Sequence, residues 1–553
     1  MINETIDVTI NGKKEQIIKD ISLYDLLKSQ NIVYKLPIIL AKVNGKYKEL
    51  SYIVKKPCDI EYVDILDKEA NRAYLNGLIF LMLYAGKSVL KKHNFIVQHS
   101  IDKGIYIKTD KTITKENVAS LKAKMKEIIK INLSIEKLNV NRFDAIDYFK
   151  SIGDNSKVEL LKYNTNSFIT LYKLGYMYNF FFSLMPIEVR CLERFDLKYL
   201  NEHGFVLLYQ TTYMKDEIKT FQYHEKMFVE FERYFQWMTA VNAEQASSLN
   251  KIVSYGKIGD FIRINETMQS YVLVNIARTI FENKNKIKIV LMAGPSSSGK
   301  TTTCNKLCMY LNGFGLHPRT ISMDNYFIER SKNPKDEFGN YDFESIESLD
   351  LELLDKQIAK IIAGEEVRIP IYDFISGTPN YKDGEIIKLG ENDILIVEGI
   401  HALNPILLSD IPKKNKLKIY VSPFSCMNFD NQNRISTSDN RLLRRIIRDN
   451  THRGYNVEDT LSCWDSVRRG EEKNIFPFQD EADIIFNTSL VYEMGVLKTY
   501  VEPLLYSVNI DSPCYEEAKR LINMLKMFLP ISSEEIPKDS ILREFIGGGC
   551  FRQ

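Results

Sequence analysis

The second half of the chain alternates short apolar runs with longer polar or amphipathic segments. From Lys286 onward the runs are IKIVLMAG, RTISMD, DILIVEG, LKIYVS and ADIIFNTS. Short runs of branched apolar residues are typical of strands buried on both faces, and the segments between them have helical or loop character. The pattern predicts an α/β domain, in which helices cover both faces of a parallel sheet.

The first half has a different pattern. Residues 5–64 hold short runs in which apolar and polar residues alternate, one helical segment, LYDLLKSQ, and two Asn-Gly turn signals. A helical stretch from Glu69 to about Lys92 follows, and after it come the strand-like pieces GIYIKTD and GFVLLYQ and the helical piece ENVASLKAKMKEIIKINL. We predict a small strand-rich module followed by an α+β domain.

These changes of pattern divide the 553 residues into five segments. We predict the strand-rich module at 1–66, the α+β domain at 67–240, a connector at 241–284, the α/β domain at 285–510 and a helical tail at 511–553. The connector is polar, contains no proline and lacks the Gly/Ser bias of a flexible linker. We therefore expect it to be helical.

Composition narrows the class of protein. Lys and Arg number 74 and Asp and Glu 72, so the net charge of +2 gives no overall field for a polyanion such as nucleic acid. The sequence begins without the pattern of a signal peptide, and its longest apolar runs are too short to span a bilayer. We expect a cytoplasmic protein with no membrane partner. The eight cysteines include no C-x-x-C pair, which argues against a disulfide framework or a zinc site.

A phosphate-binding motif follows the strand IKIVLMA. The sequence GPSSSGKT, here called the P-loop, matches the full G-x-x-x-x-G-K-[ST] pattern and precedes a helix-compatible segment. In that context backbone N–H groups and the helix N-terminus hold phosphates, the lysine reaches the β- and γ-phosphate oxygens, and the threonine hydroxyl binds Mg²⁺. The predicted nucleotide-binding residues are Gly294, Ser296, Ser297, Ser298, Gly299, Lys300, Thr301 and Thr302.

Two acidic residues stand at the ends of predicted strands. Glu398 ends DILIVE, and Asp324 follows RTISM. Parallel strands present their carboxyl ends at one edge of a sheet, where ligands bind, so we expect both carboxylates near the P-loop. We predict that Glu398 completes the Mg²⁺ environment and that Asp324 accepts the proton of an attacking hydroxyl. The alternatives are a solvated strand-end acid and a helix-capping aspartate.

A cluster of arginines follows the fourth strand. Arg441, Arg444, Arg445 and Arg448 fall at i, i+3, i+4 and i+7, so most of them share one face of a predicted helix. A solvated basic helix is the simpler explanation. Few acids lie nearby in the sequence and a P-loop enzyme needs cations over the transferred phosphoryl group, so we predict a lid that closes over the phosphates.

Aromatic residues mark a candidate acceptor pocket. Tyr372 and Phe374 lie at i and i+2 in PIYDF, and a second aromatic and acidic segment, NYDF, precedes them. The rings could stack on a flat substrate while a carboxylate holds sugar hydroxyls. Packing of the rings in the core is an equally good explanation.

Taken in order, GPSSSGKTT, SMDNYF, NYDF, PIYDF, ILIVEGIHAL and DNRLLRRIIRD resemble the uridine kinase and phosphoribulokinase family. The resemblance implies a P-loop kinase that uses ATP and Mg²⁺. It assigns catalysis to Asp324, as general base, and to Lys300, with Arg441 and Arg444 in the lid. The nucleotide-binding set gains Arg448, and the substrate set is Asp342, Tyr372 and Phe374.

Two positions depart from the pyrimidine-nucleoside kinase pattern. Gly377 stands where these enzymes usually carry a histidine, three residues after the second aromatic, and Phe327 stands where they carry a tyrosine. The resemblance therefore leaves the identity of the base open.

The first 240 residues resemble the N-terminal part of threonyl-tRNA synthetase: a ubiquitin-like β-grasp (TGS-like) module and a domain related to its editing domain. The editing domain carries an H-x-x-x-H pair after a tyrosine. Here Asn76 and Phe80 follow Tyr74 instead, and the family's later Cys and His align near Phe180 and Leu184. This degenerate site implies neither zinc binding nor editing hydrolysis.

Both halves together resemble bacterial nucleoside kinases with a synthetase-like N-terminus. We expect ATP-dependent phosphorylation of a nucleoside, at the 5′-hydroxyl of a uridine-like substrate. The alternatives are a kinase for another small-molecule hydroxyl, and a nucleotide-switched protein that binds RNA or another ligand without catalysis. The expected partner is a nucleoside or a similar small molecule. Binding of nucleic acid by the N-terminal half is left open, and so is assembly into a homo-oligomer.

Overall fold

The computed structural model describes residues 4–30, 34–214, 218, 220–335, 339 and 341–551. It begins with a sheet of order β2-β1-β7-β4-β5, in which β1 and β7 are parallel and the other pairs antiparallel. The elements of this first region are β1 (Thr5–Ile10), β2 (Lys13–Ile18), β3 (Ile21–Ser22), α1 (Leu23–Ser29), β4 (Ile38–Val43), β5 (Lys46–Glu49), β6 (Ile53–Val54) and β7 (Asp59–Asp64). The predicted strand-rich character is confirmed.

Both Asn-Gly turn signals are confirmed. Asn11 and Gly12 join β1 to β2 with φ values of 46° and 83°, and Asn44 and Gly45 join β4 to β5 with φ values of 49° and 74°. Two consecutive residues with positive φ match the twist of a two-residue hairpin, and Asn followed by Gly is the pair that tolerates it best.

The second region contains two antiparallel sheets and a long buried helix. The sheets have the orders β13-β14-β9-β8 and β10-β11-β12. The elements are α2 (Lys68–Val89), β8 (Phe95–Ile101), β9 (Gly104–Thr109), α3 (Lys115–Ile131), β10 (Ile135–Asn141), α4 (Arg142–Ser151), α5 (Asn155–Lys162), β11 (Phe168–Leu174), β12 (Met177–Asn179), β13 (Phe195–Asn201) and β14 (Gly204–Tyr209). Even α2, the most apolar of these helices, is not a membrane span: among the described residues no helix is long and apolar enough to cross a bilayer.

Three helices follow: α6 (Glu225–Ala240), α7 (Ala246–Ser254) and α8 (Ile258–Glu282). They do more than connect two regions, because they pack on the C-terminal sheet. The Tyr234 hydroxyl of α6 donates to the Ser489 carbonyl at 2.8 Å, and the Tyr492 hydroxyl donates to Glu266 of α8 at 2.6 Å. The segment predicted as a connector is therefore helical and lies against the C-terminal domain.

The C-terminal domain is built on a five-stranded sheet of order β16-β21-β15-β22-β23, and every pair is parallel. Its elements are β15 (Ile289–Ala293), α9 (Lys300–Gly313), β16 (His317–Ser322), α10 (Leu351–Ile362), β17 (Val367–Arg368), β18 (Ile371–Asp373), β19 (Thr378–Asn380), β20 (Ile386–Ile387), β21 (Asp393–Glu398), β22 (Lys416–Ser422), α11 (Thr437–His452), α12 (Val457–Asn474), β23 (Ile484–Asn487) and α13 (Glu493–Leu505). Helices α14 (Tyr515–Leu525) and α15 (Arg543–Ile546) follow.

All five predicted strands are present, and their parallel arrangement is confirmed. The side chains of β15 alternate between two cores: Ile289 and Leu291 pack on one face of the sheet, and Val290 and Met292 on the other. Apolar cores on both faces explain why these strands read as continuous apolar runs.

A loop between β22 and α11, residues 423–436, joins the two halves; we call it the junction loop. Val97 of β8 donates its N–H to the Asn431 carbonyl at 2.8 Å, and Asn428 donates to the Val97 carbonyl at 2.6 Å. Lys157 of α5 pairs with Asp430 of the loop at 3.3 Å, with side chains only 1% and 0% exposed. The joint is a buried polar seam.

We expect the Lys157→Met substitution to destabilise the protein strongly. Removing one partner of a buried ion pair leaves the other charge uncompensated, which typically costs about 3–5 kcal/mol. Lys150→Met is the control, because Lys150 pairs with Asp147 on the surface, with side chains 58% and 75% exposed. Thermal unfolding of both variants checks this: a large fall in Tm for Lys157→Met and little change for the control are expected, and equal small changes would contradict the importance of the seam.

Candidate active site

The P-loop leaves β15 and enters α9 in a backbone conformation suited to phosphate. Ser297 and Gly299 have positive φ values of 58° and 85°. Such left-handed residues turn successive N–H groups toward one point and form an anion-binding concavity. A Cβ added at Gly294 would lie 2.0 Å from the Val421 carbonyl oxygen, so the loop can pass β22 only with glycine there.

The side chains around the P-loop leave polar atoms free for a ligand. The hydroxyl oxygens of Ser297 and Ser298 are buried and have no hydrogen-bond partner. Lys300 Nζ donates to the Pro295 carbonyl at 3.2 Å, inside the loop itself. Buried polar groups without partners are rare in folded proteins, and a bound phosphate would satisfy them. The residues present therefore fit the phosphate groups of a nucleotide.

Two carboxylates lie at the same edge of the sheet. The register pairs Glu398 with Met292 on one side and with Ser322 on the other, and Ser322 Oγ donates to Glu398 at 2.9 Å. Burial, and then the negative charge of Asp324, raise the pKa of Glu398 to about 7, while Lys300 opposes the rise. Glu398, Asp324 and Lys300 are thus close enough to act on one another electrostatically.

Asp324 lies in a single 3₁₀ turn, Met323–Tyr326, directly after β16. That turn has no side-chain cap, and no hydrogen bond or ion pair of the Asp324 carboxylate occurs within the described residues. The capping alternative therefore finds no support in the structure. The carboxylate remains available to a ligand.

The candidate Mg²⁺ ligands are Thr301 and Glu398. Thr301 is exposed at the start of α9, and Glu398 lies behind it at the strand end. Both offer oxygen, and Mg²⁺ is usually bound by one or two carboxylates or hydroxyls together with substrate phosphates and water. No cluster of three or more His, Cys, Asp or Glu side chains able to hold a metal occurs in the part of the chain that the structure describes. The donor set fits a metal held mainly by a nucleotide.

Arg441 and Arg444, which we predicted in the lid, lie in buried ion pairs. Arg441 is buried against Glu471 and donates to the Ser296 carbonyl at 3.0 Å. Arg444 pairs with Glu493 at 2.6 Å and donates to the Thr488 carbonyl at 2.9 Å, with no exposed surface. Both guanidiniums pair with carboxylates inside the protein and fasten α11 to the domain, and Arg441 also contacts the P-loop; their part in a lid stays a prediction.

The other two arginines face the P-loop. Arg445 and Arg448 donate to Ser296 Oγ at 3.0 and 3.4 Å. Burial lowers the pKa of Arg448 to about 10, and its buried Nε makes no hydrogen bond but lies 3.8 Å from the Asp449 carboxylate. Helical spacing placed all four arginines near one face, but the ion-pair partners of the first two are distant in sequence. Arg445 and Arg448, which the sequence placed in the predicted lid with the other two arginines, both contact the P-loop through Ser296.

Two further acids belong to the site and were missed from the sequence. Glu471 accepts from the Ser296 N–H at 3.1 Å. Glu344 lies two residues after Asp342, whose carboxylate accepts from the Glu344 N–H at 3.2 Å, and Oε2 of Glu344 is buried without a partner. Burial, and then the charge of Glu471, raise the pKa of Glu344 to about 7. Nothing in the sequence marks Glu471, whereas Glu344 could have been found from the NYDF motif beside it.

The aromatic segment forms a small ring cluster. Tyr372 is 7% exposed and Phe374 56% exposed, with ring centroids 5.1 Å apart, and Phe327 lies 5.5 Å from Tyr372. Tyr372 is thus buried, as core packing predicts, whereas the Phe374 ring is exposed, and its contact with a substrate stays a prediction. No contact links Asp342 to this cluster among those the structure describes.

The departure at Gly377 has a structural basis. Gly377 has a φ of 72°, and a Cβ there would lie 2.8 Å from Cβ of Arg330. The backbone N–H of Arg330 donates a hydrogen bond to the Gly377 carbonyl at 2.9 Å, and the Arg330 guanidinium donates one to the Phe374 carbonyl. A histidine at 377 would be strained and would collide with Arg330. A guanidinium therefore stands beside the rings instead of an imidazole.

In the N-terminal half, three of the four positions that align with the editing ligands are apolar, namely Phe80, Phe180 and Leu184, and the fourth is Asn76. Phe80 is fully buried, with its ring centroid 5.6 Å from that of Phe181. Tyr74 is also buried and accepts from the Arg194 N–H at 2.9 Å. Packed rings occupy this region of α2.

Comparison with known proteins separates the two halves. Residues 289–493 match the model of the phosphoribulokinase / uridine kinase family. The uridine kinase of Borrelia duttonii is 30% identical over 223 residues, which are 39% of this chain and 97% of that protein. The phosphoribulokinase structure from Rhodobacter spheroides is 18% identical, with a TM-score of 0.27, over 36% of this chain and 70% of that one; a score this low carries no argument.

The N-terminal region resembles threonine–tRNA ligases. The Finegoldia magna enzyme is 29% identical over 168 residues, or 30% of this chain. The chain spans about a quarter (26%) of the length of that relative. The similarity covers the N-terminal half alone.

We expect Glu344→Gln to change how stability depends on pH. A carboxyl group with a pKa of about 7 in the folded protein and 4.5 in the unfolded chain binds protons more tightly when folded. Its contribution to stability is therefore fully present below about pH 4.5, falls as the pH rises, and is lost above about pH 7. The Tm of the wild type should fall relative to that of the variant across this window. Glu347→Gln, an exposed neighbour, should track the wild type; parallel curves for all three proteins would contradict the raised pKa.

Proposed function

Because the chain belongs to the phosphoribulokinase and uridine kinase family, we propose that it transfers the terminal phosphoryl group of ATP to a hydroxyl of a nucleoside. One observation carries the proposal: the Asp324 carboxylate, without a hydrogen-bond or ion-pair partner among the described residues, stands at the same sheet edge as Lys300 and Glu398. A protein that only bound nucleotide would not require a free base beside the P-loop lysine.

The donor side uses the P-loop and the arginines that face it. Backbone N–H groups at the start of α9 and the hydroxyls of Ser297 and Ser298 hold the phosphates, and Lys300 leaves the Pro295 carbonyl to reach them. Arg445 and Arg448 neutralise the charge that develops during transfer. Thr301 and Glu398 would hold Mg²⁺, which would further neutralise the phosphate oxygens.

On the acceptor side, Asp324 orients the hydroxyl and takes its proton. Phe374 offers a flat apolar face for a base, and Asp342 and Glu344 offer carboxylates for ribose hydroxyls. Positioning the hydroxyl in line with the phosphoryl group supplies much of the rate enhancement, because phosphoryl transfer needs little covalent chemistry from the protein.

A second acceptor class is favoured by the pair Arg330 and Gly377. A guanidinium beside the ring cluster presents several donors in a fixed fork, which suits an acceptor with paired carbonyl oxygens or an anionic group. Assaying ADP release with a panel of nucleosides and of other small hydroxyl compounds separates the two classes. Turnover of nucleosides supports the first proposal, whereas turnover confined to other acceptors favours the second.

For the N-terminal half we propose a β-grasp module and an editing-like domain without editing chemistry. Asn76 and Phe80 do not provide a pair of imidazoles, so we expect the purified protein to contain no zinc. Elemental analysis checks this expectation, and stoichiometric zinc would contradict it.

Asp324→Asn tests the base directly. Asparagine keeps the shape and some hydrogen-bonding capacity of the side chain but cannot take a proton, so we expect kcat to fall roughly 10²–10⁴-fold while ATP affinity is retained. Asp350→Asn is a matched control, because Asp350 is a true N-cap that accepts from the Leu353 N–H at 3.0 Å. Asn and Asp cap almost equally well, so its activity should not change.

Nucleotide affinity and single-turnover phosphoryl transfer should be measured on both variants. Unchanged transfer in Asp324→Asn would eliminate the base assignment. Nucleotide binding by the wild type without transfer to any acceptor would instead favour a nucleotide switch.

A further inference from the structure

The C-terminal tail folds onto the P-loop. Ile541, Leu542 and Phe545 are fully buried. A Cβ added at Gly299 would lie 2.6 Å from the Ile541 side chain, and the Phe545 ring lies 5.0 Å from the Arg444 guanidinium. The tail is therefore an integral wall of the donor site.

Polar contacts anchor this tail from both sides. Ser540 Oγ donates to Glu266 of α8 at 2.5 Å, and the Cys550 N–H donates to the Lys538 carbonyl at 2.9 Å. Arg543 donates to the Ser533 and Ile536 carbonyls, both at 2.8 Å. The backbone that carries residue 544 is thus held in place.

This anchored backbone places the Glu544 carboxylate on the first turn of α9. Oε2 of Glu544 accepts from Thr302 Oγ1 at 2.8 Å and from the Thr302 N–H at 3.3 Å, and the residue is 8% exposed. Glu544 also acts on Arg448 electrostatically. Burial lowers the pKa of Arg448, and the negative charge of Glu544 partly opposes that lowering. A protein carboxylate therefore binds donors at the helix N-terminus that follows the P-loop.

The same N–H groups are those that a P-loop offers to phosphate, because the first turn of a helix has no internal partners for them. One N–H and one hydroxyl cannot satisfy a carboxylate and a phosphate at once, and the two anions also repel each other. Within the loop, Glu471 accepts from the Ser296 N–H, whereas the buried hydroxyls of Ser297 and Ser298 have no partner. At the helix end of the cradle, Glu544 occupies both the N–H and the hydroxyl of Thr302.

We propose that Glu544 competes with the phosphate groups of the nucleotide for Thr302, so that the C-terminal tail sets the affinity of the kinase for its donor. The proposal rests on the proposed function only in that the donor phosphates bind at α9; it does not depend on the acceptor. Binding of nucleotide requires the Glu544 side chain to turn away while the apolar anchors of the tail remain in place.

A purely structural role makes a different prediction. If Glu544 merely capped α9, its loss would lower stability without strengthening nucleotide binding. Affinity and stability must therefore be measured on the same variants. Glu544→Gln removes the charge and keeps the shape, and Glu544→Ala removes the acceptor altogether.

The experiment measures Kd for ADP and for ATP by calorimetry on the full-length protein, with the Tm determined in the absence of nucleotide. Both Glu544 variants should bind roughly three- to thirtyfold more tightly than the wild type, the range expected for a charge at a helix terminus. Glu535→Gln is the control, because Glu535 lies on the same tail but pairs with Arg263 at 2.9 Å on the surface. Its affinities should equal those of the wild type.

Equal or weaker nucleotide binding by both Glu544 variants, with normal binding by the wild type, would overturn the competition. Absence of nucleotide binding in every protein would overturn both this proposal and the proposed function. Tighter binding by the Glu544 variants without transfer to any acceptor would support the competition and refute only the proposed reaction.

Discussion

The active site depends on the parallel pairing of three adjacent strands. Because β16 and β15 both pair with β21 in parallel, Ser322 and Met292 lie on either side of Glu398, and the loops that follow all three strands emerge at one edge. The P-loop and the 3₁₀ turn that carries Asp324 are two of those loops. A slip of one residue in this register would turn every side chain of a strand to the opposite face and separate Asp324 from the P-loop.

Around that edge the protein supplies many of its own counter-charges. Glu471 occupies the Ser296 N–H, Glu544 occupies Thr302, and Lys300 rests on a carbonyl of its own loop. Arg441 and Arg444, with their carboxylate partners, fix the first half of α11 against the domain. Arg445 and Arg448 lie on the later turns of the same helix and contact Ser296 of the P-loop.

The sequence allowed the sheet to be predicted because strands buried on both faces leave continuous apolar runs, and it allowed the P-loop to be predicted because only certain residues fit a tight phosphate-binding turn. Partners distant in sequence were not accessible in this way. Glu471 lies 30 residues from Arg441 and Glu544 lies 242 residues from Thr302. Helical spacing could gather four arginines on one face, but only folding shows that Arg441 and Arg444 pair with carboxylates distant in sequence, whereas Arg445 and Arg448 pair with Asp449 on their own helix. The packing of α6 to α8 on the kinase sheet was missed for the same reason.

The junction loop limits how far the two halves can be treated as separate modules. A chain that resembles two unrelated enzymes suggests a modular fusion whose halves could still be exchanged. The strand that receives Asn428 and the lysine that neutralises Asp430 lie in the synthetase-like half, whereas the loop itself leads into the helix that carries Arg445 and Arg448. Once such a seam had formed, deleting either half would strand buried charges in the other. The limits of the two resemblances therefore do not coincide with a boundary in the folded protein, and a cut between them would expose a seam that is buried in the whole chain.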